Sequence, residues 1–219
     1  MRTIIRNSIL LGLRCVIMLS PSLLAQTVYH LPFASSGNTI ELVVANASSV
    51  GTTGVTVSVQ NAPSWLQFTQ KEQTISSLAA GEERLATFVF TVNKSSPVNK
   101  PEQVTFTISN SNGETWTKTL SLQVSPPEKF ELFQNYPNPF NPTTVISYQL
   151  PVASNITLKI FDAIGREVVT LDEGMKEAGY HQKEWNATNA SSGMYIYQLA
   201  WKNEKGEQKF YRKKLMVMK

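Results

Sequence analysis

The residue types that carry most enzyme chemistry are thinly spread along this chain. It has two histidines and one cysteine in 219 residues. His30 and His181 stand far apart, and no His-x-x-x-His spacing, cysteine pair or Asp-x-Asp-Gly loop accompanies them. Zinc and calcium sites need such clusters because several donors must converge on one ion. A nucleophilic centre needs a Ser, Cys or Thr activated by a neighbouring base. The Gly-x-Ser-x-Gly turn is absent, and so is a phosphate-cradling glycine loop. Glu82 and Glu83 are adjacent carboxylates, but neighbours on a strand point to opposite faces, so one site cannot easily use both. They read as loop decoration. Trp65, Trp116, Trp185 and Trp201 offer another chemistry, since an exposed indole stacks on a sugar ring while a buried one fills a core. A place in the core is the expectation. The Asn-x-Ser/Thr triplets that begin at Asn46, Asn93, Asn155, Asn186 and Asn189 read as accidents of an Asn- and Thr-rich chain. The expectation is a non-enzymatic protein with no cofactor and no metal.

Whatever these residues do, strands must position them. Charged residues make up 16% of the chain, against roughly 25% in typical globular proteins. Val and Thr, which favour strands, are abundant. Short alternating apolar runs separated by turn residues dominate, with no heptads and no sustained 3.6-residue period.

The first 25 residues stand apart from this pattern. A basic start with Arg2 and Arg6 leads into the apolar run Ile9-Leu-Leu-Gly-Leu13, and small residues close the segment at Ala25. That order predicts a secretory signal peptide cut between Ala25 and Gln26. Its apolar pieces, interrupted by Arg14, fall short of the ~20 residues that a membrane span needs. Removal takes Arg2, Arg6 and Arg14, leaving 17 of the 20 basic residues against 16 acidic ones. The basic pI goes with the leader, so no nucleic-acid partner is expected. Cys15 goes too, so the mature chain is held by packing rather than disulfides. No later stretch is apolar for long enough to span a membrane as a helix.

Two sets of strands follow. The first, over residues 26–124, has candidates at 39–45, 54–60, 65–69, 84–93, 103–110 and 115–124. In 84–93 both alternating rows are partly apolar, which predicts a strand between two packed layers. Asn110-Ser-Asn-Gly113 predicts a hairpin in which a residue takes positive φ. Such spacing fits an immunoglobulin-like sandwich. Ala62-Pro-Ser-Trp-Leu66 with Leu78-Ala-Ala-Gly-Glu82 is similar to bacterial immunoglobulin-like accessory modules. Ser125-Pro-Pro-Glu-Lys129 reads as a stiff linker. The second set, over residues 130–219, has candidates at 144–149, 155–162, 167–172, 180–185, 193–201 and 208–217. Asn203-Glu-Lys-Gly206 joins the last two. The fold class is therefore all-β, with two immunoglobulin-like antiparallel β-sandwiches in tandem behind a signal peptide.

The second set opens with Leu132-Phe-Gln-Asn-Tyr136-Pro137-Asn138-Pro139-Phe140-Asn141-Pro142-Thr-Thr144. Each proline fixes φ and lacks a donor, which blocks helix and inner strand alike. Asn138 and Asn141 precede prolines and are biased to extended shapes. A rigid kinked segment is expected, pinned to the sandwich by Tyr136 and Phe140. Downstream come Ile146-Ser-Tyr-Gln-Leu-Pro151, Lys159-Ile-Phe-Asp-Ala-Ile-Gly165-Arg, Ala178-Gly179-Tyr-His, Trp185-Asn-Ala, Ser192-Gly193-Met-Tyr195-Ile-Tyr and Lys213-Lys214-Leu215-Met-Val217-Met-Lys219. This ordered series resembles the type A C-terminal sorting domain of the type IX secretion system, over about 90 residues. The flagellar hook-capping immunoglobulin-like domain shares part of the look.

The resemblance implies a route. The chain would cross the inner membrane on its leader. The C-terminal domain would be recognised in the periplasm, carried through the outer-membrane translocon and cut by a sorting-domain peptidase, with the linker near residues 125–129 as the region of cutting. The N-terminal sandwich would be the cargo, secreted or joined to a surface glycolipid. The final strand, rich in Lys209, Arg212, Lys213, Lys214 and Lys219, is expected to be an open sheet edge that docks the machinery, since unpaired edge groups invite strand addition. The alternative class of function is a secreted carbohydrate-binding module using Trp65 or Trp116; a third is a minor hydrolase.

Overall fold

The computed structural model describes residues 27–202 and 208–219, together with the backbone course of residues 4–11. The expected cleavage point at Ala25 and Gln26 lies outside the described residues, as does the expected turn at 203–206. Contacts divide the chain into two compact units, Met1–Ser125 and Pro126–Lys219. Both are built of strands, and among the described residues there is no helix long and apolar enough to cross a membrane.

The first unit contains β1 (Ile4–Leu11), β2 (Val28–Leu31), β3 (Asn38–Asn46), β4 (Thr52–Asn61), β5 (Leu66–Phe68), β6 (Glu72–Leu78), β7 (Glu83–Val92), β8 (Pro101–Ser109) and β9 (Thr115–Val124). They form a sheet of order β1-β3-β7-β5 and a sheet of order β2-β9-β8-β4-β6. The run that opens the expected leader is extended as β1, parallel to β3. One alternating row of each long strand faces inward: Ile40, Leu42 and Val44 from β3, Phe88 and Phe90 from β7, Val104, Phe106 and Ile108 from β8. Phe88 and Phe106 meet across the layers at 5.1 Å. Burying each such side chain contributes roughly 1.5–3 kcal/mol. Strand β7 differs from expectation. Its phenylalanine row is buried, but Leu85 and Val89 are left 55% and 41% exposed. The sheet has solvent, not a second layer, on that face. In the β8–β9 connection Gly113 takes φ 79°, as the Asn-Gly pair predicts.

The second unit contains β10 (Glu131–Leu132), β11 (Thr143–Leu150), β12 (Ser154–Phe161), β13 (Glu167–Lys176), β14 (Gly179–Asn186), β15 (Gly193–Lys202) and β16 (Gln208–Val217). A sheet of order β10-β11-β14 faces one of order β13-β12-β15-β16. The inward rows Ile156, Leu158 and Ile160 of β12 and Tyr195, Tyr197, Leu199 and Trp201 of β15 fill the core. Polar groups also join the two layers. The Tyr148 hydroxyl on β11 donates to Asp172 on β13 at 2.9 Å, and the Asp172 carboxylate also meets Lys176 at 2.7 Å. The register puts the starts of β11 and β15 and the ends of β12, β14 and β16 at one end, which we term the distal end. The linker joins at the other, where Phe130 stacks on Trp201 and Tyr211.

Candidate functional site

The proline-rich segment is fastened by a residue whose role the sequence does not announce. Asn135 is buried, and its amide donates to the Pro137 carbonyl at 3.0 Å and to the Thr144 hydroxyl at 2.9 Å. Thr144 passes its own proton to the same carbonyl at 2.8 Å. Tyr197, reaching across from β15, accepts from the Asn135 backbone N–H at 3.0 Å and donates to the Phe133 carbonyl at 2.8 Å. Burial pushes the Tyr197 hydroxyl up to about 12. The three peptide bonds before Pro137, Pro139 and Pro142 are cis.

Phe140 pins this segment and Tyr136 does not. Phe140 is 3% exposed and lies 5.5 Å from the Trp185 ring, whereas Tyr136 is 82% exposed. Only the backbone of Tyr136 is held, by two bonds of 3.0 Å to Val145. Aromatic character alone does not decide which of the two rings turns inward.

The same segment covers the C-terminal stretch of the edge that was expected to be open. Strand β16 is last in its sheet, but the Phe140 N–H donates to the Met216 carbonyl at 3.1 Å and the Met218 N–H to the Phe140 carbonyl at 3.0 Å. Met216 N–H donates to the Asn138 side chain at 2.9 Å, and the Gln134 amide to the Lys214 carbonyl at 2.7 Å. The Lys214 and Met216 carbonyls and the Met216 and Met218 N–H groups are therefore occupied. An incoming strand there would have to displace four existing bonds, so Lys214 is presented by a capped stretch of the edge. Lys219 is also tied, its N–H to the Ser192 hydroxyl and its ammonium to the Thr188 carbonyl.

Segments distant in sequence meet at the distal end. Gly193 lies opposite Val217, Met194 opposite Met216, Tyr195 opposite Leu215, and Tyr197 opposite Lys213. The turn before β13 sits beside them. Asp162 shapes it by accepting from the backbone N–H groups of Ile164 and Arg166, and Gly165 takes the left-handed φ of 85° that the turn requires. The Arg166 backbone N–H, then its guanidinium, hold the Asp162 carboxyl below the usual range. A shallow depression of about 270 Å³ lies between Ile164 and Arg166 on one side and Gly193, Met194 and Tyr195 on the other. Around it Ile164, Met194, Met216 and Met218 are 75%, 40%, 40% and 57% exposed, with Arg166, Lys214 and Lys219 also exposed. Leu215 and Val217 face the core. Pro137, Asn138, Pro139, Asn141 and Pro142 are exposed on the segment that borders β16. Gly179 is not part of this gathering. It pairs with Leu150 at the linker end.

The comparisons decide what this end belongs to. Residues 134–214 match the family model described as "Secretion system C-terminal sorting domain". The C-terminal unit is a type IX sorting domain. Its presence implies export to the cell surface or secretion. No curated protein matches the chain. Among solved structures, the chain is similar to the CupB2 chaperone of Pseudomonas aeruginosa at 13% identity, covering 86% of this chain and 96% of that one with a TM-score of 0.27. It is also similar to dimeric latent PorU from Porphyromonas gingivalis at 14% identity, covering 85% of this chain and 19% of that one with a TM-score of 0.32. Neither likeness carries an argument about function.

The sorting domain thus holds two kinds of residue that motif reading does not separate. Phe140, Leu215 and Val217 build the frame, while Tyr136, Met194, Lys214 and Lys219 are displayed by it. The motif segments contain Asn135, Thr144, Tyr148 and Tyr197 without announcing their roles, and leave out Asp172, because their work is done by hydrogen bonds between segments. A polar residue inside an otherwise apolar alternating row, as at Tyr197, is the one signal that could have found them.

Proposed function

We propose that this chain is an exported bacterial protein whose distal face is the export address. The type IX machinery reads that face in the periplasm and carries the chain through the outer membrane. The N-terminal sandwich travels as a non-enzymatic cargo, to be released or attached to a surface glycolipid. The leader, cut between Ala25 and Gln26, delivers the chain to the periplasm first. One observation carries the reading: residues scattered from Tyr136 to Lys219 are fastened into one end of one sandwich, with apolar and cationic side chains turned to solvent. The capped C-terminal stretch of β16 favours recognition there by that displayed surface over strand addition. The linker is the region of cutting in this reading, with Glu128 and Lys129 exposed to a peptidase.

Fractionation of cells that express the chain with and without Lys213–Lys219 tests this. The full chain is expected outside the cell. The truncated chain, with its N-terminal sandwich still folded, is expected in the periplasm. Normal surface delivery of the truncated chain contradicts the proposal.

A further inference from the structure

The inward row of β9 ends in a residue that the core does not fully cover. Val124, Leu122 and Leu120 are buried, and the row continues through Lys118 to Trp116, which is half-buried. Trp116 packs on the core cluster and also lines a cleft of about 210 Å³. The cleft lies between the β3–β4 connection and the β8–β9 hairpin, and its other walls include Asn46, Ser48, Thr52, Asn110, Asn112 and Glu114.

These walls are fixed by bonds of their own. The Asn46 amide donates to the carbonyls of Val50, Leu78 and Ala79 at 2.9, 3.1 and 3.1 Å. On the facing hairpin the Asn110 oxygen accepts from the N–H groups of Asn112 and Glu114, and its amide donates to Thr52 and Glu114. Ser111 ties that hairpin to β4 through the Thr53 carbonyl at 3.1 Å. Asn46 and Asn110 are thus consumed by the scaffold. The Asn112 amide and the Trp116 indole N–H have no partner among the described residues.

The chemistry left over is specific. Ser48 is consumed in the same way, its hydroxyl bonded to the Asn46 side-chain oxygen and to the Val50 carbonyl, which leaves an indole, a free amide and the Glu114 carboxylate in the lining, with no cation to attract an anionic ligand. An apolar ring face beside hydroxyl-binding amide and carboxylate groups suits a molecule that is apolar on its C–H face and polar at its rim. The volume is below the roughly 300–1,000 Å³ of pockets for drug-sized ligands, which suits a single ring. Trp65 offers no such site, being buried with its N–H bonded to Glu102 at 3.1 Å. We propose that this cleft binds one neutral pyranose unit of an oligosaccharide, with Trp116 as the stacking platform and Asn112 and Glu114 as hydrogen-bonding groups. The site lies in the cargo sandwich and does not depend on the export reading.

Calorimetric titration of the full chain with cellohexaose, laminarihexaose, xylohexaose and chitohexaose in turn provides the test, with indole emission followed in parallel. At least one is expected to bind and to shift the emission. Trp116→Phe is expected to weaken that binding about threefold, and Asn112→Ala about tenfold, by removal of part of the platform and of one uncompensated hydrogen bond. Asn112 is exposed, so its replacement leaves the fold intact. Weakening by either substitution at an unchanged melting temperature supports the proposal. Binding of none of the four sugars, or binding that both substitutions leave intact, overturns it.

Discussion

The two sandwiches bury alternating apolar rows alike, but they use buried polar groups differently. In the N-terminal unit those groups mostly serve turns: Asn38 donates to Ser35 three residues away, and Asn46 gathers the carbonyls of neighbouring connections, although the Trp65 indole N–H also reaches Glu102 on β8 at 3.1 Å. In the C-terminal unit they reach between layers. Tyr148 on β11 meets Asp172 on β13, and Tyr197 on β15 holds both Phe133 and Asn135. A turn residue fixes one loop, whereas a bond between layers fixes how two sheets sit on each other. Buried networks of that kind are costly unless fully paired, and when paired they specify one arrangement. The unit proposed to carry the export address is the one built that way.

Damage to one core should leave the other unit untouched. Phe88→Ala removes a fully buried ring and is expected to lower the stability of the N-terminal unit by about 3–5 kcal/mol. Differential scanning calorimetry should show one transition falling while that of the C-terminal unit stays in place. A matching fall in both transitions would show that the two cores are energetically one.

Asp172 gives the next effect and a sign. Burial raises its carboxyl, but bonds from Lys176 and Tyr148, with the charges of Lys176 and Lys183, outweigh that and hold it below the usual range. A carboxyl that is lower folded than unfolded contributes its stability in full above the ordinary carboxylate value and loses it as pH falls. The C-terminal transition should therefore weaken below about pH 4. Asp172→Asn should cost about 1–3 kcal/mol at neutral pH and flatten that acid limb. A steeper acid limb in the variant than in the parent would refute the assignment.

Tyr197→Phe sharpens the contrast further. It removes the hydroxyl that accepts from the Asn135 N–H and donates to the Phe133 carbonyl, at a cost of about 1–2 kcal/mol read from urea unfolding. The smallest effect belongs to Tyr136→Ala, whose exposed ring should contribute less than about 0.5 kcal/mol while export falls. A stability loss without an export defect would reverse the roles given to Tyr136 and Phe140.

Alternation made the long strands legible. Ile156, Leu158 and Ile160 against Thr157 and Lys159 leaves little choice of face. It could not rank two apolar rows, so Leu85 and Val89 of β7 read as buried when the heavier phenylalanine row had taken the core. Strand β6, Glu72-Gln-Thr-Ile-Ser-Ser-Leu78, was invisible because it lies at a sheet edge with little apolar content. Strands β2 and β10 are too short for a period to show. At the distal end the ordered segments were legible as a series, but their meeting was not. Asn135 and Tyr197 lie 62 residues apart and β16 meets Asn138 across 78, separations that no local pattern reports. The capping of β16 was missed for the same reason.

On the proposed reading, the displayed side chains of the distal end, not the fold alone, form the address. Residues 126–219 grafted to a periplasmic reporter, in a host with a type IX system, test it directly. The measurement is the fraction of reporter outside the cell, with the parent sequence and with Tyr136→Ala, Ile164→Ser, Met194→Ser and Met216→Ser combined. The parent graft is expected to carry the reporter out, and the altered graft, folded by circular dichroism, to leave it in the periplasm. Equal export of the two grafts, or no export of either, would contradict the account.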